Sequence, residues 1–403
     1  MSVRECGTLI VGAGITGLAV ARELLARGDD DILIIEKEPG LGYHGSGRNS
    51  GVLHAGVYYS AGTLKARFCA IGNQLMREYC KSKGLTLIES GKVIVASDEA
   101  EELVLDELKE RADSSGAIAE IIDADRLKEL EPHARTHRRA LHSPNTAVIR
   151  PMEVLSSLHK DLEDSGRVRF SMATGFVGFD SDRSITTSNG SIRFRRLVNA
   201  AGAFADVVAH KAGIGTEYKS VPFKGTYKRV VDAKEHLVRG NIYPVPDLRN
   251  PFLGVHLSRT GDGHVYAGPT AIPAFGRENY GVLRGVSKES PKIAYRDAVL
   301  LARNQGFRFA ALTEPRKYVT RVVLAEARKL VPELQPGDLE SADKVGIRPQ
   351  LVHWPTKTLV MDYVVKREGD SVHVLNAISP AFTSAFAFAD HVGDILDGSA
   401  GED

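Results

Sequence analysis

The sequence predicts an α/β chain of mixed α+β character. A parallel-sheet nucleotide-binding domain is assembled from separated segments, and an antiparallel-sheet domain is inserted into it. Three observations carry this expectation. Residues 8–36 read as strand, helix and strand around a glycine turn, a connection that is normally parallel and right-handed. Buried strand runs recur at Leu197–Gly202 and Val372–Ile378, while the stretches between them read as shorter strands separated by turn signals. At 403 residues, 43% apolar and 26% charged, the chain holds enough material for two or three domains and a large core.

Composition also excludes function classes. Lys plus Arg is 52 and Asp plus Glu is 51, a net charge of +1. That balance argues against nucleic acid as a partner and against disorder. The cysteines are Cys6, Cys69 and Cys80. They match no zinc spacing and form no Cys-x-x-Cys, so no metal site is expected and a reducing, cytoplasmic compartment is. No signal segment is read at the N-terminus. Of the two longest apolar stretches, Gly7–Ala21 is too short to span a bilayer, and Ser371–Ala389 is broken by His373, Asn376 and Pro380. Peripheral membrane contact stays open.

In chain order, Thr8–Val11 is an apolar run ending in glycines, a buried strand. Ile15–Arg27 has helical spacing and stops at Gly28. Asp31–Glu36 is the second buried strand. Gly40–Gly56, rich in Gly, Ser, His and Asn, reads as a long functional loop. Ala61–Lys83 is helical, Gly91–Ala96 a strand and Asp98–Ala112 an acidic helix. Pro151 opens a helix to Glu163. Val168–Phe170, Gly175–Phe179 and Ile192–Phe194 read as meander strands around a Ser188-Asn189-Gly190 turn. Leu197–Gly202 leads into helix Phe204–Ala212. Residues 218–275 are strand-rich, 290–333 helical, and the strand Val372–Ile378 precedes a terminal helix of about Phe382–Leu396. The expected division is 1–84, 146–216 and 341–403 for the nucleotide-binding domain, and 85–145 and 217–340 for the substrate-binding domain.

Gly12-Ala13-Gly14-Ile15-Thr16-Gly17 fits G-x-G-x-x-G. Gly12 permits the turn, Gly14 lets backbone approach a pyrophosphate, and Gly17 allows close helix–strand packing. Free N–H groups of the helix start at Ile15 and Thr16 then meet the phosphates. Glu36 ends the second strand, where its carboxylate accepts ribose hydroxyls, followed by Lys37. These features agree on a Rossmann-like dinucleotide site. The polar loop at 40–56 and a second strand end at Ala201-Gly202 favour an extended FAD over NAD, with Ser46, Asn49, Ser50 and Gly51 as further cofactor contacts.

Two blocks, Arg48-Asn49-Ser50-Gly51-Val52-Leu53-His54-Ala55-Gly56-Val57-Tyr58-Tyr59 and Leu64-Lys65-Ala66-Arg67-Phe68-Cys69, carry a resemblance. So do Pro222–Tyr227, Tyr243–Asp247, Pro251–Leu257, Gly268-Pro269, Gly346–Gln350 and Asn376–Ala381. Together they resemble the L-2-hydroxyglutarate oxidases and dehydrogenases, FAD enzymes of the D-amino-acid oxidase superfamily. The resemblance covers nearly the whole chain and is weakest over 276–340. It implies a glutathione-reductase-type FAD fold and oxidation of an L-2-hydroxy dicarboxylate to its 2-oxo acid. It leaves oxygen or a quinone as electron acceptor.

That chemistry moves a hydride from the α-carbon to flavin N5 while a base takes the hydroxyl proton, and a histidine titrating near neutrality suits the second task. The resemblance puts His54 beside the flavin. A structural histidine and a covalent flavin anchor are its alternatives, and His256 is the competing base. The resemblance also puts Arg348 near the flavin ring, where its planar fork suits a carboxylate. Arg259 and Lys224 are expected on strands roofing the pocket, with Tyr58, Tyr59 and Tyr227 as phenolic donors. Lys65 and Arg67 are read as phosphate-directed or solvent-facing. Reduced flavin is an anion, and a helix start at Ser379-Pro380-Ala381-Phe382-Thr383-Ser384 suits it, with Ser379, Thr383 and Ser384 as caps. The alternative enzyme is a flavin oxidase of a small amino acid, and the non-enzymatic alternative is an FAD-binding electron carrier.

Overall fold

The computed structural model describes residues 4–247, 252–282 and 284–401. Pro251 of the motif at 251–257 therefore lies outside the described residues. The first sheet has eight strands. Its parallel centre sets Arg4–Val11 between Ile32–Ile35 and Gly190–Asn199, with Ile10 opposite Ile34 on one side and Val198 on the other. Helices Ile15–Ala26, Leu64–Lys83, Pro151–Asp164 and Ala381–Asp397 pack with one face in a single apolar core. Val208 of helix Ala205–Lys211 and Phe176 and Phe179 of the outer ribbon cover the other face. Burial on both faces is why these strands are continuous apolar runs rather than alternating ones.

The meander expectation needs correction. Val168–Ser171 pairs parallel to Ile32–Ile35, with Phe170 opposite Ile34. The helix before it is a crossover, so the strand that follows returns in the same direction. Ile192–Phe194 and Leu197–Asn199 form one strand, Gly190–Asn199. Its arginines break the apolar run in sequence only: Ile192, Phe194 and Leu197 are buried while Arg193 and Arg195 are exposed.

The second sheet has ten strands, drawn from 92–143, 218–273 and 339–359. It is antiparallel except where Asn241–Pro244 runs parallel to Lys92–Val95. Its longest pairing joins Tyr218–Val230 to Leu339–His353. The latter strand was not evident from sequence, because Glu340, Ser341, Asp343 and Lys344 interrupt its hydrophobic pattern. Residues 341–353, grouped by sequence with the nucleotide-binding segments, thus lie in the second sheet. Helix Thr320–Leu330 buries Val323, Leu324 and Ala327 against this sheet. A third, three-stranded sheet pairs Val52–Leu53 with Ala147–Ile149 and so anchors the end of the long loop.

Candidate active site

A cavity of about 630 Å³ runs between the two large sheets, from Gly12 and Glu36 at one end to Tyr227, His256 and Arg348 at the other. At the first end, Gly12 holds φ +109° and a Cβ there would sit 2.6 Å from the Ala200 carbonyl oxygen. A Cβ on Gly17 would sit 2.0 Å from the Gly12 carbonyl oxygen, so the helix can approach the turn only through glycine. The helix start has no side-chain cap at Gly14. The Ile15 N–H, expected free for a phosphate, donates instead to Ser46 Oγ at 2.9 Å, because the long loop folds over the helix start and is tied to the phosphate turn there. Glu36 accepts from the backbone N–H groups of Ala13 and Glu38 at 3.0 Å each, and its carboxylate lines the cavity.

The long loop is held by its own polar side chains. Asn49 Nδ2 donates to the carbonyls of Gly45 and Ser46, and its Oδ1 accepts from the Gly51 N–H at 2.8 Å. Ser46, Asn49, Ser50, Ala201, Gly202, Thr16 and Lys37 all line the cavity. Gly17 and Gly51 do not: Gly17 serves packing, and Gly51 (φ +77°) lets the loop pass the Ile149 carbonyl.

At the far end, His54 follows the short strand Val52–Leu53, and its N–H donates to Thr383 Oγ1 at 3.1 Å. Its Nδ1 is buried and without a hydrogen-bond partner. His256 Nδ1 lies 3.0 Å from the Gly254 carbonyl oxygen. A carbonyl only accepts, so Nδ1 carries the proton and Nε2 is left basic. Burial is the main cause that pushes His54 down to about 3 and His256 down to about 4, with the Lys92 charge adding to both. The expected near-neutral titration is thereby corrected: desolvation outweighs every other influence on these rings. Arg348 lines the cavity, its Nε is unpartnered, and burial brings its guanidinium down to about 10. The helix Ala381–Asp397 begins without a side-chain cap. Ser379, Pro380 and Thr383 line the cavity around its open N-terminus. The expected capping is corrected accordingly, since Thr383 is spent on His54 and Ser384 is packed where Gly72 approaches its Cα.

Three cations depart from expectation, two of them expected at the substrate. Arg259 donates to the carbonyls of Glu235, Val238 and Gly263 and does not line the cavity. Lys224 donates to the Gly281 carbonyl at 2.6 Å and faces away from the cavity that Phe223, Gly225 and Tyr227 line. Lys65 is neither phosphate-directed nor solvent-facing, since it is 5% exposed and its amine is down to about 7 from burial, with Arg348 adding to the shift. Tyr58 and Tyr59 sit behind the wall: Tyr58 Oη is buried without a partner, and the Tyr59 ring is 5.9 Å from Lys65 Nζ.

Sequence reasoning missed two groups. A strap over 275–281 crosses the dinucleotide end of the cavity. Its Tyr280 Oη lies 2.7 Å from His44 Nδ1, and the Arg48 guanidinium is 4.3 Å from the Tyr280 ring. Arg277, 3% exposed, pairs with Asp206 at 2.6 Å and Glu289 at 2.8 Å. Glu38, His44 and Glu278 gather as metal ligands would, but Lys37 Nζ stands 2.5 Å from both carboxylates and answers their charge itself. Nothing in the periodicity of this segment marks it. The second group is Lys92, buried behind His54 and His256. A lysine opening the otherwise apolar run Lys92-Val93-Ile94-Val95 was the available signal.

The turn, the open helix starts at both ends of one cavity and the unpartnered polar atoms at its far end fit a dinucleotide with a redox-active ring. Comparison with known proteins agrees. The family model for FAD dependent oxidoreductases (DAO) matches residues 8–395. The chain is 35% identical to the mitochondrial L-2-hydroxyglutarate dehydrogenase of Nematostella vectensis, over 96% of this chain and 89% of that protein. It is also 35% identical to the Caenorhabditis elegans enzyme of the same name, over 94% and 90%. Among solved structures, the FAD-bound L-α-glycerophosphate oxidase of Mycoplasma pneumoniae superposes with a TM-score of 0.78 at 22% identity, over 98% of this chain and 95% of that one. With cavity, turn and relatives in accord, the chain belongs to the FAD dependent oxidoreductase family, alongside the L-2-hydroxyglutarate dehydrogenases, and its cofactor is FAD.

Proposed function

We propose that the protein oxidises an L-2-hydroxy dicarboxylate, L-2-hydroxyglutarate to 2-oxoglutarate. The observation that carries this reading is the charge at the far end of the cavity. Arg348 lines it with an unpartnered Nε, Lys65 and Lys92 lie buried behind, and the only carboxylate among the lining residues described is Glu36 at the opposite end. Such a wall suits a dianion. It suits an amino acid poorly, because an α-ammonium group there would meet cations and no acid.

FAD, when bound, supplies the two-electron acceptor for the α-carbon's hydride. Arg348 pairs with the α-carboxylate through two N–H groups and so fixes the α-carbon. The substrate's hydroxyl proton passes to His54, whose loop is anchored to Thr383 at the open helix start; His256, with Nε2 basic, is the alternative acceptor. A neutral imidazole of low pKa is a weak base in the empty pocket. The charge of a bound dianion raises it where it is needed. The open start of the helix Ala381–Asp397 favours negative charge on the reduced ring.

The electrons go on to oxygen or to a quinone. No helix among the described residues is long and apolar enough to cross a membrane. Dye-linked turnover with L- and D-2-hydroxyglutarate, L-malate, L-lactate and glycine tests the reading. Preference for glycine, or no turnover of any hydroxy acid, overturns it.

A further inference from the structure

Lys92 is 2% exposed and heads the strand Lys92–Val95, in register with Ser143 on one side. No hydrogen bond or ion pair meets its amine among the described residues, and its charged surroundings contain no carboxylate. Instead Nζ lies 4.4 Å from the Tyr58 ring centre and 5.2 Å from that of Tyr243. Tyr243 stacks on His256 with centroids 3.8 Å apart and planes 18° apart, and both rings line the cavity. Lys92 is therefore one aromatic layer behind the pocket wall.

A buried ammonium without a counter-ion is costly, and an apolar side chain of the same length would fill the space more cheaply. Two ring faces attract a cation but replace little of its hydration. Without a counter-ion the amine falls to about 7. What the position lacks is an anion, and the described residues place no carboxylate beside it. The other cations once expected here are engaged elsewhere: Lys224 holds the Gly281 carbonyl and Arg259 three carbonyls away from the cavity, and Lys65 has Asp362 beside it. Arg348 can answer one carboxylate of a ligand. A second carboxylate in the same pocket needs another positive charge within a few ångströms of the wall, where the low dielectric makes it felt.

We propose that Lys92 is the specificity-determining cation of this pocket, a positioning residue whose field through the Tyr58–Tyr243–His256 layer makes the site select dicarboxylates over monocarboxylates. The inference rests on the dicarboxylate reading above and adds the residue responsible for it. Lys92 touches neither end of the reacting bond, but its charge also lowers both pocket histidines, so its part in selection is read from ligand binding without turnover.

The test compares Lys92→Met and Lys92→Arg with the wild type, each holding FAD. Binding of 2-oxoglutarate and of 2-oxovalerate, which has the same chain without the second carboxylate, is read from the flavin absorption spectrum. KM and kcat for L-2-hydroxyglutarate are taken with a dye acceptor. Lys92→Met is expected to weaken 2-oxoglutarate roughly tenfold or more, the scale of one charge interaction at intermediate dielectric. Its 2-oxovalerate binding should stay within about threefold, since the field acts on the missing charge. KM for L-2-hydroxyglutarate rises, and Lys92→Arg restores much of the selectivity. Equal weakening of both ligands, or a Lys92→Met protein with unaltered selectivity, overturns the proposal. If Lys92→Met does not retain FAD, Lys92→Gln carries the same ratio, and selectivity surviving in that charge-free variant overturns it equally. A wild type that neither binds 2-oxoglutarate nor oxidises L-2-hydroxyglutarate marks failure of the underlying reading instead, and the proposal falls with it.

Discussion

His54 and His256 meet the cavity as neutral rings because burial disfavours their charged forms far more than any neighbour favours them. A lowered pKa keeps the proton-accepting form present above about 3 for His54 and about 4 for His256. Since kcat/KM reports the free enzyme, it should not fall between pH 7 and pH 5, and a pH–rate profile with an acid limb near 6.5 would contradict this environment. His54→Gln should keep FAD and still be reduced by dithionite, with flavin reduction by substrate slowed about 10²–10⁴-fold in stopped flow. A change of only a few-fold would move the proton to His256. Arg348→Lys keeps a charge and loses the fork. Its kcat/KM is expected to drop well beyond about tenfold with the visible flavin spectrum intact.

At the scale of elements, the helix Ile15–Ala26 and its turn form one rigid unit. A methyl at Gly17 would overlap the Gly12 carbonyl, and neither backbone can move without shifting the phosphate turn. Gly17→Ala should therefore destabilise by about 1–3 kcal/mol and yield protein with depleted flavin, measured by absorbance of the purified sample. The strap over 275–281 has two kinds of fastening with different expected weights. Lys37–Glu278 is a half-exposed pair, so Glu278→Gln should change the melting temperature little, in line with about 0–1 kcal/mol. Arg277→Met removes the ion-pair partner of buried Asp206, while Glu289 keeps Arg296 at 3.3 Å, and loss of a buried partner costs about 3–5 kcal/mol. Denaturant melts of the two variants should separate accordingly.

For the molecule as a whole, the cavity is lined by residues from both large sheets, including Val11, Ile35, Tyr227, His256 and Arg348. A ligand that fills it bridges them. Stripped protein titrated with FAD should melt higher as FAD rises, by about 2.7 kcal/mol of added stability at 100 times Kd. A single transition that moves as one body is the expected scanning profile. A low-temperature transition insensitive to FAD would show instead that the second sheet melts alone.

The phosphate turn, Glu36, the loop at 40–56 and the terminal helix were legible in sequence because each is local: glycines at fixed offsets, a strand end, a polar run, a buried helix. The direction of a strand side chain is not local. On Tyr218–Val230 the alternation puts Phe223, Gly225 and Tyr227 on the cavity and turns Lys224 outward. On His256–Arg259 the same alternation faces His256 inward and Arg259 away. Register and pairing partners decide that choice, and no motif states them. The strand Leu339–His353 shows the same limit, since its membership of the second sheet depends on pairing with Tyr218–Val230 across more than a hundred residues. By itself the sequence determined the cofactor class and the family. Only the tertiary structure decided which cations face the pocket, that its histidines are held neutral, and that Lys92 stands uncompensated behind them, because burial and charge separation exist only once distant segments have packed together.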